Sequence, residues 1–383
     1  MTRPLKTPGI ALALACIAVL SGTLSAQTGP PAAVDFSPLP EIHAAVPNTL
    51  PGLLGKPLKW VSTAALVVPQ HDATHFLFSI KDPTVSYIDG MWQVYATANM
   101  IMGPQAGPLS QPGAARPARG GTFNMVHLSF ADWKDAPKAR LFYMDAAGFS
   151  GYKCAPEMFY FAPQRKWYFT FQTQAPAFST SQTPGDPQSW TKPENFFADD
   201  VYRQYMPRLP IDYHFIGDGQ HMYMFFTGDD GNFYRSRTSY AEFPKGFGKP
   251  VVAMRGTRNS VFEASFTYRI KGTDKYLTIV EALGNRYYRA YVADRLDGEW
   301  YPIQGFDTME QPFAGKANVT FEPGVEPWST QVSHGELIRD SNDERMILDP
   351  DNLVFLYQGI SEADNKGDYG ALHYQLGLLR AVK

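Results

Sequence analysis

Five acidic residues carry the chemistry that this sequence could perform: Asp82, Glu157, Asp212, Glu263 and Glu336. Each begins a run of aromatic and β-branched residues that is followed by a turn and a second such run, the pattern of a β-hairpin. Taken singly, an acid before a strand is also ordinary turn chemistry, because Asp favours turns. Taken together, carboxylates at equivalent points of repeated hairpins would meet if the hairpins pack around one axis. Such a cluster suits glycoside hydrolysis, in which one carboxylic acid protonates the departing oxygen and a carboxylate activates water or attacks carbon.

The hairpins recur from Trp60 to the C-terminus as five weak repeats, whose first strands begin about 50 to 75 residues apart. A repeat of that size matches a propeller blade, a four-stranded sheet that cannot bury both of its faces alone. We therefore predict an all-β fold, a single-domain five-bladed β-propeller, with a two-sheet sandwich as the competing fold. The first strand of each propeller blade lines the central channel, so the five acids would converge on one mouth of that channel. The 21 Tyr and 7 Trp could in part supply surfaces on which sugar rings stack.

Composition excludes several classes of protein. The 383 residues are 44% hydrophobic and 19% charged, which is unlike a disordered chain. A net charge of −3 argues against a nucleic-acid partner, which would require a basic surface. Two cysteines cannot staple a chain of this length, so stability must come from a buried core. We expect Cys154 to be a small buried residue of that core and not a nucleophile.

The N-terminus has the pattern of a secretion signal. Arg3 and Lys6 precede the apolar run 9–20, and small residues up to Ala26 offer a cleavage site. That run is shorter than the roughly 20 residues of a membrane-spanning helix. We predict a signal peptide at residues 1–26, a Pro/Ala-rich linker with no fold of its own at 27–57, and the catalytic propeller at 58–383. The mature protein is expected to be secreted or periplasmic, monomeric and free of membrane contact.

The segment Met100–Gly121 interrupts the first repeat. It contains several Pro and Gly residues and no strand pattern, and it lies between two strands of the predicted first blade. We expect a long surface loop, a kind of segment that is often functional. If it leaves the blade at the end where the acids gather, it would border the groove that holds the substrate chain.

A series of short motifs runs in order from residue 60 to residue 360. They are Ser79–Val85, Gly151–Pro156, Phe159–Pro163, Tyr234–Ser236, Phe262–Ser265, Ile279–Ala282, Ala317–Phe321, Ser333–Glu336 and Leu356–Gly359. As a set they resemble glycoside hydrolase family 62, the α-L-arabinofuranosidases that remove arabinose side chains from arabinoxylan. The Lys-Asp-Pro and Phe-Glu-Ala-Ser elements within the first and fifth motifs are the most specific.

This resemblance implies a five-bladed propeller and an inverting mechanism. Carried over residue by residue, it makes Asp82 the general base and Glu263 the general acid. Asp212 would hold the substrate and tune the acid, since a nearby like charge helps a carboxylic acid to keep its proton. The Asp212 motif matches the family only loosely.

The resemblance also implies further contacts. A calcium ion would lie near the channel centre by His334, and because calcium prefers oxygen ligands the imidazole would touch it through water. Lys81 would reach sugar hydroxyls or the catalytic carboxylate, and Tyr357 would line the arabinose pocket. Arg289 is a further candidate for sugar binding, although Arg286 lies close by in the same stretch. No organic cofactor is implied. Glu157 departs from the family, which usually has Gln there, and adds a negative charge near the pocket or makes a different hydrogen bond.

The sequence therefore predicts an exported, inverting α-L-arabinofuranosidase that acts on arabinoxylan or arabino-oligosaccharides, and arabinan is a further candidate substrate. Two alternatives stay open. One is a relative of glycoside hydrolase family 43 with β-xylosidase or arabinanase activity on the same fold. The other is a sugar-binding propeller without catalysis, against which the presence of all three carboxylates argues.

Overall fold

The computed structural model describes residues 43–206 and 210–382, and its strands form five sheets around a central channel. The predicted signal peptide at 1–26 and the start of the predicted linker, 27–42, lie outside the described residues. No helix in the described part of the chain is long and apolar enough to cross a membrane. The predicted five-bladed β-propeller is confirmed.

The strands follow the chain around the ring. Strand β1 is Trp60–Ser62. Blade I consists of β2 (His75–Ile88), β3 (Met91–Met102), β4 (Thr122–Phe130) and β5 (Phe142–Tyr143). Blade II consists of β6 (Cys154–Phe161), β7 (Lys166–Gln172), β8 (Pro176–Ser181) and β9 (Glu194–Asn195). Blade III consists of β10 (Ile211–Gly217), β11 (His221–Thr227), β12 (Asn232–Ser239) and β13 (Val251–Arg255).

The remaining strands build blades IV and V. They are β14 (Glu263–Ile270), β15 (Tyr276–Ala282), β16 (Tyr287–Ala293), β17 (Tyr301–Pro302), β18 (Val319–Phe321), β19 (Ser333–Leu337), β20 (Ile347–Leu348), β21 (Val354–Gly359) and β22 (Gln375–Ala381). Blade IV is β14–β17 with β20 added in parallel beside β14, and blade V has the order β18-β1-β22-β21-β19. The short helices are α1 (Ala106–Leu109), α2 (Asp199–Tyr205) and 3₁₀ turns at Gly52–Gly55, Trp133–Lys138, Met144–Ala147, Ala162–Gln164 and Tyr369–Ala371.

Five inner strands line the channel. Each of β2, β6, β10, β14 and β19 packs against the next, and β19 packs against β2 to complete the ring. Every inner strand has a break in its pairing register, the mark of a β-bulge. The break lies near the start of β6, β10, β14 and β19, and the break around Asp82 lies midway along the longer β2. In four of the five strands the break contains a residue of positive φ, namely Asp82, Ala155, Asp212 and Ala264. The bulges therefore align the blades and mark one end of the channel.

Two features of the fold differ from the sequence-based expectation. The last hairpin does not return directly after a turn at 340–344, because β20 first crosses to blade IV and only then does β21 pair with β19. The described part of the predicted linker, 43–57, also packs onto the propeller. Leu50, Leu53 and Leu54 are buried in the main core cluster, since this segment carries apolar side chains among its prolines.

The segment between β3 and β4 also differs in part from the expectation. Strand β3 extends to Met102 and helix α1 follows, so the stretch without regular structure is shorter than 100–121. It leaves blade I at the end where β2 begins, which is the end marked by the bulges. Arg116 donates to the carbonyl oxygens of Phe78 and Ala371, and the Gly120 N–H donates to Asp368. The loop is thus tied to the segment that precedes β22.

The ring is closed by the two ends of the described chain. Strand β1 pairs antiparallel with β22 inside blade V. Trp60 is fully buried there, packs on Phe313 and Phe355, and donates its indole N–H to the carbonyl oxygen of Phe313 at 2.7 Å. A strand from the start of the domain is therefore required to complete the last blade.

We predict that Trp60→Ala lowers the free energy of unfolding by about 3 to 5 kcal/mol, because it leaves a large cavity where the ring closes. Urea denaturation followed by tryptophan fluorescence measures this loss. Trp60→Phe, which keeps a ring but removes the N–H donor, should cost clearly less. A loss below about 1 kcal/mol for Trp60→Ala would show that blade V does not depend on β1.

Candidate active site

Two carboxylates share one imidazole at the bulged end of the channel. Nδ1 of His334 lies 3.2 Å from Oδ1 of Asp82 and 3.7 Å from Oδ2 of Asp212. The two aspartates come from blades I and III, and each occupies the bulge of its inner strand with a φ of 46° and 54°. Asp tolerates this left-handed conformation better than most residues. The bulges thus bring together side chains that are 130 residues apart in the sequence.

The environment of His334 favours its charged form. Burial alone would lower its pKa, but the charges of Asp82, Asp212 and Glu281 outweigh burial and raise the pKa to about 9. The backbone N–H of His334 donates to Oε2 of Glu281 at 2.8 Å, which fixes the start of β19. An imidazolium is therefore held between the two aspartates at neutral pH.

The pKa values of the two aspartates are shifted in opposite directions. Burial acts to raise the pKa of Asp82, but Lys81 and His334 outweigh it and hold that pKa well below its usual range. Burial raises the pKa of Asp212 to about 7, with the negative charges of Glu263 and Asp82 adding to the effect against His334. Asp82 is thus a carboxylate at neutral pH, whereas Asp212 titrates near neutrality.

Glu263 joins the cluster from blade IV. It immediately precedes Ala264, whose N–H donates to Oδ2 of Asp212 at 2.9 Å. Arg286 donates both to Oε1 of Glu263 and, at 2.6 Å, to Oε1 of the fully buried Glu281. The side chains of Asp82, Asp212 and Glu263 are 10, 13 and 19% exposed, so the cluster opens narrowly to solvent.

Lys81 borders the cluster beside Asp82. Its Nζ donates to the hydroxyl of Tyr369 at 2.5 Å and lies within 5.5 Å of the ring centres of Phe123, Tyr369 and Tyr374. Ring contacts of this kind stabilise a cation where little water reaches it. Tyr369 is itself 37% exposed, so it forms part of the rim.

Two sequence-predicted residues do not join this cluster. Tyr357 is 1% exposed and hydrogen-bonds to the Ser62 hydroxyl at 2.8 Å, between β21 and β1. Arg289 donates to the carbonyl oxygens of Asp307 and Ser260. Side chains alternate along a strand, and Arg289 faces the opposite side of its sheet from Tyr288, which pairs with Glu281. Sugar binding by Tyr357 and Arg289 stays a prediction.

Three residues that the sequence analysis did not assign take part instead, namely Arg286, Glu281 and Tyr369. Arg286 and Glu281 were within reach of sequence reasoning, because they lie in the two stretches that carry Arg289 and the Ile279–Ala282 motif. Tyr369 lies in the 3₁₀ turn before β22, in a stretch whose Gly and Asp residues give no periodic signal.

Glu157 and Glu336 lie deeper in the channel than the other acids. Each is two residues beyond the bulge of its strand, and each is at most 2% exposed. Glu157 pairs with His214 at 2.9 Å, and Glu336 pairs with Nε of Arg339 at 2.6 Å. Arg339 also donates to the carbonyl oxygens of Val85 and Met158. These acids therefore link blades to each other, and Glu157 does not add a charge to the group around His334.

Cys154 is buried beside the cluster, as expected of a residue of the core. Its thiol contacts the Tyr152 hydroxyl at 3.1 Å. Burial and the nearby Asp82 carboxylate raise the pKa of the thiol far above its usual value. The thiolate that a nucleophile requires is thus strongly disfavoured.

The expected calcium ion finds no matching set of ligands. Calcium takes about six to eight oxygen ligands. No group of three or more His, Cys, Asp and Glu side chains among residues 43–206 and 210–382 is arranged to hold a metal ion. Nδ1 of His334 faces two carboxylates, and the deeper acids are paired with His214 and Arg339. The described residues do not supply a calcium site built from protein side chains alone, and a calcium ion that contacts His334 through water stays a prediction.

Comparison with known proteins decides the family. The model of glycosyl hydrolase family 62 matches residues 59–380. The chain belongs to glycosyl hydrolase family 62. A curated relative, α-L-arabinofuranosidase C of Cellvibrio japonicus (strain Ueda107), is 36% identical over 335 residues, which cover 86% of this chain and 48% of that protein. The chain thus spans about half the length of this relative.

Solved structures of family 62 members share the fold. The catalytic domain of the Coprinopsis cinerea α-L-arabinofuranosidase is 35% identical with a TM-score of 0.74, covering 85% of this chain and 97% of that one. The Podospora anserina α-L-arabinofuranosidase, solved with cellotriose, is 34% identical with a TM-score of 0.74 and the same coverage. A family 62 hydrolase solved with xylotriose is 34% identical with a TM-score of 0.72, covering 84% and 97%. A thermostable family 43 hydrolase, 15% identical with a TM-score of 0.50, shows the fold alone.

We predict that the free energy of unfolding depends on pH through the protonation of His334. Its pKa is raised in the folded protein, so its stabilisation is complete below the unfolded pKa near 6.5 and is lost as pH rises through about 9. Between pH 6.5 and 9 the wild-type chain should lose on the order of 2 kcal/mol relative to His334→Asn. Urea denaturation of both proteins at each pH measures the difference. A difference that stays constant over this range would contradict a charged His334.

Proposed function

We propose that this chain is an inverting α-L-arabinofuranosidase that removes arabinofuranosyl side chains from arabinoxylan. The observation that carries the proposal is the meeting of Asp82, Asp212 and Glu263, from three blades, around one imidazolium in a chain of family 62. The relatives that support it are named α-L-arabinofuranosidases, and two related structures hold cellotriose and xylotriose. An unbranched β-linked chain in those proteins is consistent with a xylan backbone lying across the site.

Asp82 is proposed as the general base. Its depressed pKa keeps it ionised, which is the form that accepts a proton from water. Two contacts fix its position: its backbone N–H donates to Oε1 of Gln358 at 2.8 Å, and its carboxylate faces Nδ1 of His334. A water between Asp82 and the anomeric carbon would lose its proton to Asp82 as it attacks.

Glu263 is proposed as the general acid. Arg286 donates to Oε1, so Oε2 is the oxygen that would carry the proton to the departing xylan oxygen. Asp212 lies against this acid through the Ala264 N–H, and Glu263 is one of the charges that raise the pKa of Asp212. The negative charge of Glu263 thus helps Asp212 to keep its proton. Inversion requires about 6.5 to 9.5 Å between the acid and base carboxyls, which leaves room for the water.

Lys81 is proposed to bind sugar hydroxyls. Its ammonium group donates to the Tyr369 hydroxyl and lies near the rings of Phe123, Tyr369 and Tyr374, which places a hydrogen-bond donor at the rim of the cluster. We further propose export to the periplasm or the medium, which rests on the pattern of residues 1–26 alone. A monomer is the proposed state in solution.

The two alternatives are weaker on specific grounds. A family 43 enzyme shares only the fold with this chain, at 15% identity against 34 to 36% for family 62 members. A propeller that only binds sugar would have no need for an ionised Asp82 beside an Asp212 that titrates near neutrality. Arabinose release from wheat arabinoxylan, without xylose release, would separate the proposed enzyme from a β-xylosidase and from a binding protein.

We predict that Asp82→Ala and Glu263→Ala each lower kcat by about two to four orders of magnitude on arabinoxylan. On nitrophenyl arabinofuranoside, Glu263→Ala should be partly spared, since that leaving group departs without a proton. Asp82→Ala should not be spared, since every substrate needs an activated water. Steady-state kinetics on both substrates measure this, with circular dichroism as the control for folding.

The contradicting outcome is equal residual activity of the two variants on both substrates, which would remove the acid and base assignments. Inversion itself is read from the first product in a ¹H NMR time course, where the β anomer of arabinose should appear before mutarotation. Initial appearance of the α anomer would show retention.

We predict that removal of residues 111–115 from the loop after α1 lowers kcat/KM on arabinoxylan at least five times more than on nitrophenyl arabinofuranoside. The loop leaves blade I at the catalytic end, and only the polymer extends beyond the pocket. The deletion retains Arg116 and Gly120, which tie the loop to 366–371 and so preserve Tyr369. Equal losses on the two substrates would show that the loop is not part of the substrate groove.

A further inference from the structure

A second groove lies at the opposite end of the channel, between blades I and II. Its volume is about 590 Å³. It is lined by the β2–β3 hairpin, by Tyr160 and Trp167 of blade II, by the loop 182–186 and by Asn342 and Asp343. Asp82 and Ala155 mark the catalytic end of β2 and β6, whereas the lining residues Ile88 and Tyr160 lie at the other end of the same strands. The groove is therefore separate from the catalytic cluster.

The floor of the groove is aromatic and apolar. Tyr160 and Trp167 form a cross-strand pair with ring centres 5.6 Å apart. Trp167 is half-buried because part of its ring packs against a core cluster that includes Phe169. Ile88 and Met91 add apolar surface from blade I. An apolar ring surface of this kind matches the C–H face of a pyranose.

The walls of the groove are fixed in place. The Tyr95 hydroxyl donates to the carbonyl oxygen of Pro184 at 2.8 Å, and the Thr183 N–H donates to the Ser181 hydroxyl at 2.9 Å. On the other wall, the Asn342 side chain donates to the carbonyl oxygen of Tyr87 at 2.7 Å. A ligand would meet a preformed site, which reduces the entropy lost on binding.

The polar groups of the groove select against anions. Asp89, Asp186 and Asp343 line it, and no Lys or Arg is among the lining residues that the structure describes. Asp343 is paired with Arg345, which does not line the groove, so among the described lining residues Asp89 and Asp186 supply the unpaired negative charge. The other polar side chains are amides and a hydroxyl, namely Gln93, Gln182, Asn342 and Thr183. Carboxylates and amides accept and donate the hydrogen bonds of sugar hydroxyls. Beside an aromatic floor, they suit a neutral polyhydroxyl chain.

We propose that this groove binds a second stretch of neutral β-linked xylan chain, away from the catalytic end. The choice of xylan rests on the proposed function, whereas the neutral sugar chain follows from the groove itself. Binding at both ends of the propeller would hold the enzyme on an insoluble polymer and raise the local concentration of branches at the catalytic cluster.

The test uses affinity electrophoresis of the full chain in gels that contain wheat arabinoxylan. Because retardation does not depend on turnover, it is measured in the Glu263→Ala background as well as in the wild type. We expect Trp167→Ala to reduce the retardation at least threefold in both backgrounds. Tyr87→Ala is the matched control, since Tyr87 is an exposed ring of the same β2–β3 hairpin that does not line the groove. It should leave retardation unchanged.

A second variant guards against loss of folding. Thr183→Arg places a long side chain in the groove without removing core packing, and it should reduce retardation as Trp167→Ala does. Both variants should keep kcat/KM on nitrophenyl arabinofuranoside within twofold of wild type. Unchanged retardation of the folded Thr183→Arg and Trp167→Ala proteins would overturn the proposal. If the two groove variants lose retardation but the wild-type protein releases no arabinose, the groove is supported and the proposed function is rejected.

Discussion

The break in pairing register of each inner strand is the constraint on which the site depends. An L-residue of positive φ costs on the order of 1 kcal/mol or more, and the chain accepts that cost at Asp82, Ala155, Asp212 and Ala264. Two of these positions are aspartates, a residue type that tolerates the conformation. The bulge turns their carboxylates toward the channel axis, where His334 from blade V reaches both. Without the bulges, regular alternation would fix which face of the strand each acid occupies, and the acids would not share one imidazole.

The acidic and basic side chains of the cluster compensate each other's charges as one network and not as separate pairs. Four carboxylates, those of Asp82, Asp212, Glu263 and Glu281, surround His334 and Arg286, with Lys81 at one side. Removing one partner of a buried pair leaves an uncompensated charge, so each group constrains the protonation of its neighbours. The deeper pairs Glu157–His214 and Glu336–Arg339 lock the inner strands beneath the cluster. The pKa values of Asp82 and Asp212 shift in opposite directions because Lys81 is the neighbour of Asp82 in the chain and His334 lies closer to Asp82 than to Asp212.

The fold and part of the site could be predicted from the sequence, and particular residues show why the rest could not. The repeat spacing predicts five blades, and an acid at a blade start predicts convergence for Asp82, Asp212 and Glu263. The same rule fails for Glu157 and Glu336, because two residues along a bulged strand separate the mouth of the channel from its interior. Arg286 lies in the turn between β15 and β16, whereas Arg289 lies within β16, and to place the two requires the exact bounds and pairing of these strands. Tyr369 could not be predicted at all, since its place depends on a contact between two loops. A Cβ on Gly120 would lie 2.2 Å from the carbonyl carbon of Gly370, so the loops meet there backbone to backbone.

The loops at the rim, and not the strands, are the part of such an enzyme in which substitutions can alter the range of substrates. Asp82, Glu263 and His334 lie on inner strands whose register is set by pairing with the next strand of the blade, so a shift of any one would disturb a whole blade. Tyr369 and the loop after α1 lie instead on segments outside the strands, at the bulged end of the channel, and are held by a few hydrogen bonds. Substitutions in these segments can reshape the rim while Asp82 and Glu263 stay in place. The bond that is broken is therefore determined by the ring of strands, and the polymer that can approach it is determined by the loops at the rim.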